Sequence, residues 1–361
     1  MDLPSHQLSM TVLMTPDTAN FSGKVHGGAI LKLLDQVAYA CASRYAGRYV
    51  VTLSVDQVMF RQPIQVGELV TFLASINHTG TSSMEVGIKV IAVTDAGFKP
   101  EKQVSDLETI MAQSPDIIVS IPTDPTATAA AYRAAAEAGA KLVFMDNVPA
   151  GFVPGTDYVS VVSADNYGNG VAAAHLMAKA LGPDGGEIGL VFHAADFFVT
   201  KQRYDAFKAT IANDYPNITI VDEQGIGGPD FSGDAEKAAG AMLTSNPNIK
   251  GIWAVWDVPA EGVMAAARSN GRDDLIITTV DLGENVAISM AQGGFIKGLG
   301  AQRPYDAGVV EAKLAGYALL GKDAPDFVAL PALPVAQDNL LDAWKQVYST
   351  EATENVKASM Q

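Results

Sequence analysis

The sequence predicts two unlike folds in one chain: an α+β segment at the N-terminal end, then a doubly wound, two-lobed α/β fold over the remainder. Three observations predict this. Ahead of residue 94, one helical apolar stripe is followed by period-two apolar runs, the pattern of an antiparallel meander laid on a helix. Behind it, apolar strands alternate with helices, the pattern of parallel sheets covered on both faces. The charge changes at the same place. Residues 1–94 hold six acids and six bases, so the other 34 acids and 18 bases, and with them the whole net charge of −16, lie further on. A shift that sharp marks a domain boundary.

At 361 residues the chain has room for two or three folding units, taking about 150 residues per domain. The single Cys41 excludes an intrachain disulfide and reads as a buried packing residue. No apolar run approaches the roughly 18 residues of a membrane span. The start, Met-Asp-Leu-Pro-Ser-His, lacks the basic n-region and apolar core of a signal peptide. The acidic second part repels phosphate backbones, which argues against a nucleic-acid partner.

The elements follow in order. Residues 8–13 form a short apolar strand, and Thr15 to Gly23 a turn-rich loop. His26-Gly27-Gly28 opens a helix whose stripe is Ile30, Leu33, Leu34, Val37, Ala38 and Cys41, with Gly47 as its stop. Three strands are predicted after it, over 49–55, 69–76 and 84–93; Pro63 and Gly67 punctuate the first gap and Asn77 to Gly80 the second. The last of these strands is claimed twice. Val86, Ile88 and Val90 alternate as an antiparallel strand should, whereas Val90-Ile-Ala-Val93 is the continuous run of a buried parallel one.

Asn20-Phe-Ser-Gly-Lys-Val-His-Gly-Gly-Ala-Ile-Leu-Lys-Leu-Leu-Asp35 resembles the helix entry of hotdog-fold acyl-CoA thioesterases. So do the stretches from Val51 to Phe60, from Pro63 to Gly67 and from Gly80 to Val86, in the same order. The resemblance implies thioester hydrolysis with acyl-CoA as partner. Backbone N–H groups at Gly27-Gly28, beside His26, approach the carbonyl at a helix N-terminus. Asp35 matches the family's carboxylate base or nucleophile, and Asn20 its polar residue that positions water or the carbonyl across a dimer interface. Thr81-Ser82-Ser83 match the region that meets the CoA moiety. The residues alone also allow a structural reading: Asp35 as a solvent-facing break in the stripe, His26 as a partner for backbone groups. The family's sheet has a fifth strand for which this sequence offers none, which predicts an unpaired edge and an uncovered helix flank. The resemblance also implies a site formed between two hotdog units, so activity would require a homo-oligomer through this part.

From residue 88 onward, strands are predicted over 89–94, 116–120, 140–145, 158–162, 187–192, 218–224, 251–255, 275–280 and 296–301. Helices are predicted over 102–113, 127–138, 166–181, 200–214, 234–246, 259–269, 284–292 and 307–320. Strands in such number exceed what one open twisted sheet holds comfortably, so two lobes are expected. Asp146, Asp257, Asp281 and Gln302 each stand just past a predicted strand end. That is where open α/β sheets bind ligands, although an Asp after a strand also caps the next helix. No P-loop, no strand followed by Gly-x-Gly-x-x-Gly and no His/Cys metal cluster occurs, so neither a metal nor a cofactor is expected.

The stretches Lys102 to Glu108, Ser114 to Ser120, Val143 to Asn147 and Asp196 to Phe207 resemble periplasmic sugar-binding proteins of ABC transporters, of the ribose-binding type. So do Trp256-Asp257, Val280-Asp281 and Ala301-Gln302-Arg-Pro-Tyr305. The resemblance implies a small-molecule sugar or polyol as ligand and a transporter permease as partner. It makes Asp146, Asn147, Asp257, Asp281 and Gln302 the polar ligands of hydroxyl pairs. Phe197, Phe198, Trp256 and Tyr305 then cover sugar faces, and Lys201 is the basic hydroxyl donor. This family begins with a strand and helix ahead of the strand at 89–94, and here hotdog-like sequence stands in their place. The first lobe is therefore expected to carry a slot between neighbouring strands.

The chain thus reads as a hotdog-like domain over 1–87 fused to a two-lobed binding domain over 88–361. Lobe 1 takes 88–160 and 303–335; lobe 2 takes 161–302 and 336–361. Three functions follow: carbohydrate binding by the second part, acyl-CoA hydrolysis by the first as a dimer, or a folded chimera with neither. A periplasmic location goes with the first and a cytoplasmic one with the second. The absence of a basic helix-turn-helix argues against a transcription regulator.

Overall fold

The computed structural model describes residues 4–56, 58, 64, 66–112, 114–195 and 197–360. Pro63, part of the Val51 to Phe60 stretch, Gln113 at a predicted helix end, and Asp196 lie outside the described residues. The chain divides into two compact units, Met1–Ser114 and Pro115–Gln361.

In the first unit, β1 (Gln7–Leu13) is followed by α1 (Gly27–Ala46), β2 (Leu69–Thr79), β3 (Met84–Val93) and α2 (Pro100–Met111). The three strands form one sheet in the order β1-β2-β3, antiparallel throughout. Helix α1 starts where expected, with the His26 imidazole as its cap, and stops at Gly47, whose φ of 62° supplies the left-handed C-terminal turn. The predicted stripe is the buried one: Ile30, Val37 and Cys41 pack against Val70, Phe72 and Ala74, alternate residues of β2.

The strand claimed by both folds belongs here. β3 pairs with β2 along its whole length, from Leu69 opposite Val93 to Thr79 opposite Met84. The expectation of a parallel strand at 89–94 is corrected by that ladder: β2 takes the N–H and C=O groups on one edge of β3, and hairpin closure across a short turn is entropically cheap. The predicted strand over 49–55 also fails to form. Those residues are irregular and exposed, with Tyr49, Val51, Leu53 and Val55 all in solvent. A period-two pattern makes a strand only when a neighbouring strand receives it.

In the second unit the chain alternates as predicted. β4 (Ile117–Ser120), α3 (Ala129–Glu137), β5 (Lys141–Met145) and β6 (Ser160–Ala164) come first. Then follow α4 (Asn166–Leu181), β7 (Gly186–His193), α5 (Phe198–Asp214), β8 (Ile218–Ile226), α6 (Phe231–Ser245), β9 (Ile249–Ala254) and α7 (Asp257–Ser269). Next are β10 (Ile276–Val280), α8 (Glu284–Ala291), β11 (Ile296–Ala301) and α9 (Pro304–Leu319). The tail holds β12 (Phe327–Leu330), β13 (Leu333–Val335), α10 (Leu340–Tyr348) and α11 (Glu354–Ser359), none of which the periodicity had marked.

Two sheets result, one ordered β12-β6-β5-β4 and all parallel, the other β13-β11-β10-β9-β7-β8 and parallel except for β13. Two lobes, inferred from strand number, are therefore present. The slot expected in the first lobe is not: with β3 committed elsewhere, β4 is simply the end strand of a four-stranded sheet. Val143 and Val162 of that sheet pack on Ala307 and Leu314 of α9. The larger lobe carries the bulk of the core, with Trp253 of β9 fully buried and stacked on Phe207 of α5 at 4.9 Å.

Candidate functional site

In a parallel sheet every strand delivers its carboxyl end to the same edge. β5 and β10 use that edge in the same way. The residue after β5, Asp146, has φ 58°, and the residue after β10, Asp281, has φ 70°. Each N–H still bonds to the neighbouring strand, Asp146 to Val162 O at 2.8 Å and Asp281 to Gly300 O at 2.9 Å. The ladder thus continues to the last residue, and the chain then turns through the left-handed region that Asp tolerates better than most side chains.

One hydrogen-bonded chain joins the two aspartates. Ser163 Oγ donates to Asp146 Oδ1 at 2.8 Å, and Asn166 Nδ2 donates to Ser163 Oγ at 3.0 Å. Arg203 Nε donates to Asn166 Oδ1 at 3.0 Å, and its Nη1 reaches Asp281 Oδ2 at 3.0 Å and Val255 O at 3.2 Å. Gln302 Nε2 completes the set by donating to Asp281 Oδ1 at 2.7 Å. The guanidinium is only 2% exposed, so its charge is held by these acceptors rather than by water. α5 can bring it there because Gly170 of α4 has no side chain: a Cβ at that position would lie 2.3 Å from the Arg203 carbonyl oxygen.

Beside this chain stands a wall of rings. His193, at the end of β7, stacks on Phe197 at 5.1 Å and meets Phe231 and Trp256 edge-on at 5.5 and 5.6 Å. Phe231 and Trp256 are 4.9 Å apart. Burial lowers the His193 pKa, so the imidazole behaves here as a neutral ring.

The carboxyls are pushed the other way. Burial raises Asp146 against the opposing pull of the Ser163 hydrogen bond and the Arg203 charge. Burial, and then the Asp281 charge, push Asp257 up to about 6. Glu311 of α9 is pushed up to about 7 by burial and then by Asp146. Burial and then Asp257 and Asp281 push the Tyr348 hydroxyl up to about 12, although it still donates to Leu282 O at 2.5 Å.

The first unit is arranged differently. His26 Nδ1 accepts the Gly28 N–H at 2.8 Å, so that donor is used within its own turn, and Gly27 is the first residue of α1. Asn20 Oδ1 accepts from Ser22 N at 2.9 Å, Ser22 Oγ at 2.7 Å and Lys24 N at 3.2 Å, which folds its own loop. Asp35 is exposed and accepts from Thr52 Oγ1 at 2.6 Å. Thr81, Ser82 and Ser83 are exposed in the turn between β2 and β3.

Known proteins match both units. The family described as periplasmic binding protein domain matches residues 82–323. The chain belongs to that family. The thioesterase superfamily matches residues 22–97, so the two matches share 82–97, the stretch that holds β3. An ABC transporter solute-binding protein from Mycobacterium smegmatis, solved with bound glycerol, superposes with TM-score 0.62 at 27% identity; the match covers 72% of this chain and 87% of that one. One from Agrobacterium vitis, bound to α-D-tagatopyranose, gives 0.63 at 24%, covering 71% and 86%. On the thioesterase side, protein VdlD of Helicobacter pylori is 57% identical over 86 residues, 24% of this chain and 49% of VdlD. Acyl-coenzyme A thioesterase 11 of Mus musculus is 38% identical over 86 residues, 24% of this chain and 14% of that protein. The chain thus spans about half the length of the VdlD relatives it matches, and less of the thioesterase.

Within the periplasmic-binding-protein half, the structure brings Asp146, Asp281 and Gln302 into one network and places Asp257 within electrostatic reach of Asp281 and Arg203. Phe197 and Trp256 stand in the ring wall. Asn147 turns its Nδ2 to Pro122 O at 3.3 Å. Phe198 and Tyr305 are 47% and 37% exposed, and Lys201 pairs with Asp205 at 2.8 Å with both side chains about half in solvent. The sequence reading missed Ser163, Asn166, His193, Glu311 and above all Arg203. A signal existed for the last. Arg203 shares a helical stripe with the buried Phe207, Thr210 and Ile211, and a charge inside an apolar stripe is either an error or a partner.

Proposed function

We propose that the periplasmic-binding-protein half binds a sugar or polyol and passes it to an ABC transporter permease. One observation carries this reading: the Asp146–Ser163–Asn166–Arg203–Asp281–Gln302 chain, lying at the carboxyl ends of both sheets and flanked by rings. Alternating acceptors and donors suit paired hydroxyls, and rings suit the apolar faces of a pyranose. Closure of two lobes would bury both. Asn147, Phe198, Lys201 and Tyr305 are proposed as outer contacts of the same site. A periplasmic location goes with this reading.

Thermal shift and tryptophan fluorescence against pentoses, hexoses and polyols test it. Trp256 belongs to the ring wall, so binding is expected to change its emission. No response to any of them would sink the reading.

A second reading rests on a separate observation. Asp35 of α1 faces Thr52 across a helix that opens at Gly27-Gly28, and the exposed Tyr49, Val51, Leu53 and Val55 offer an edge for a second copy. We infer acyl-CoA hydrolysis by a homo-oligomer of this unit, with Asp35 as base, Asn20, His26, Gly27 and Gly28 at the carbonyl, and Thr81, Ser82 and Ser83 toward CoA. That activity goes with a cytoplasmic location. Thiol release from acyl-CoA should disappear in Asp35→Ala; equal rates in both proteins would remove Asp35 from the mechanism. Failure of both assays leaves the folded chimera without either activity.

A further inference from the structure

We propose that the open edge of β3 is a self-pairing surface: two copies of this chain join antiparallel, across a two-fold axis at Gly87, into one continuous sheet.

The backbone supplies the edge. Among the described residues β3 ends its sheet, and its strand partner is β2. Successive residues of an antiparallel strand turn their N–H and C=O groups to opposite edges. The Ile76 N–H bonds to His6 O, on the β1 side of β2. Ser75 and Leu73 therefore turn toward β3, and their partners Gly87 and Lys89 turn back to meet them. Val86, Ile88 and Val90 are left presenting N–H and C=O groups outward, a template for a further strand.

The side chains select what that strand is. Val86 and Ile88 pack on the core beneath α1, so Glu85, Gly87 and Lys89 share the opposite face. Glu85 and Lys89 are exposed, and neither has an ion-pair partner among the described residues. A two-fold axis through Glu85 or Lys89 would set like charges against each other. Through Val86 it would set Glu85 against Gly87, and through Ile88 it would set Lys89 against Gly87. Through Gly87 it sets Glu85 of each copy against Lys89 of the other, in the non-hydrogen-bonded pairs where side chains come closest. The same register makes Val86 opposite Ile88, and Met84 opposite Val90, the hydrogen-bonded pairs, so apolar meets apolar on the α1 face. The interface is isologous, the same strand read in both directions.

Gly87 also has a reason within the chain, since a Cβ there would lie 2.3 Å from Asn77 Nδ2. The register therefore rests on the charges and the faces. A lysine on an end strand ordinarily guards against pairing. That guard works against a strand with no carboxylate opposite it, and a second copy brings Glu85 to that place. The surface is separate from the 49–55 edge considered above and depends on neither proposed activity.

Sedimentation equilibrium on the full chain tests the proposal, and a dimer is expected across the micromolar range. Lys89→Glu should weaken it at least about tenfold, and adding Glu85→Lys to that variant should restore it. Glu85→Cys mixed with Lys89→Cys should give a disulfide-linked dimer on mild oxidation. Either variant alone should not, because like positions stand about 13 Å apart along the paired strands, and the buried Cys41 is common to both. A monomer throughout, a dimer indifferent to Lys89→Glu, or a loss that Glu85→Lys does not restore overturns the proposal. So does cross-linking as strong in the single variants as in the mixture. A dimer that dissociates in Leu53→Lys and survives in Lys89→Glu assigns the contact to 49–55 and overturns it as well. Restoration by a second charge change separates a broken contact from a misfolded variant.

Discussion

Asp35 is expected to act on a substrate and Asp281 to hold a ligand, and they stand in opposite surroundings. Asp35 projects from a helix into solvent, with a threonine hydroxyl as its hydrogen-bond donor. Asp281 closes a parallel strand, sits in a left-handed turn, and receives a buried guanidinium on one oxygen and a glutamine amide on the other. The difference teaches that a local motif supplies the groups of a site but not its walls. Around Asp35 the motif residues are present in order, yet the segment over 49–55 that should flank the helix lies exposed, and Leu31, Tyr39 and Tyr45 of α1 are more than 40% exposed. Around Asp281 the partners are Arg203 of α5 and Gln302 at the end of β11, and Arg203 is in turn buried against Asn166 of α4 and the Val255 carbonyl after β9.

The comparison breaks first if Arg203 is dispensable. Arg203→Ala removes the charge that Asp281 answers and leaves that carboxylate part-buried and unpaired. The expected loss is about 3–5 kcal/mol in denaturant unfolding, with loss of any ligand response. A loss below about 1 kcal/mol would mean that the network is ornamental to stability.

Glu311 sharpens the contrast through pH. Its folded pKa of about 7 stands above the ordinary 4.5, so the unfolded chain ionises first as pH rises. Stability is full below the lower value and is lost between it and the higher one, with no further change above. At about 1.4 kcal/mol per unit the loss is on the order of 3 kcal/mol. Glu311→Gln is therefore expected to be more stable than the parent at pH 8 by a similar order, with the gap closing toward pH 5. Equal melting temperatures at pH 8 would contradict the burial of an uncompensated carboxyl.

The smallest effect is expected at Asp35. Thr52→Val removes its donor in solvent, and unfolding should change by less than about 1 kcal/mol. A larger loss would show that the exposed arrangement is not the one that matters in solution.

Much of the architecture was legible. α4 starts at Asn166 and ends at Leu181 as the apolar pattern required, and α1 stops at the glycine that punctuates it. Asp146, Asp281 and Gln302 were legible because each directly follows a strand, and strand ends can be read from a short window. Arg203 was not, since its partners Asn166, Val255 and Asp281 lie 37, 52 and 78 positions away. β12 and β13 escaped for a related reason. Each is three or four residues long, β12 is partly exposed, and each is defined by the sheet it joins rather than by a period of its own.

By itself, the sequence determined which of the longer periodic segments from β4 to α9 would be helical or extended, where glycines and aspartates would turn the chain, and that two sheets would be needed there. Those properties depend on neighbours within a few positions. Only the tertiary structure decided that β3 completes an antiparallel hairpin with β2, that residues 49–55 go unpaired, and that one buried arginine ties the two lobes' aspartates together. A strand's hydrogen bonds and a buried charge are both satisfied by groups from elsewhere in the chain, so their fate is set by what packs beside them.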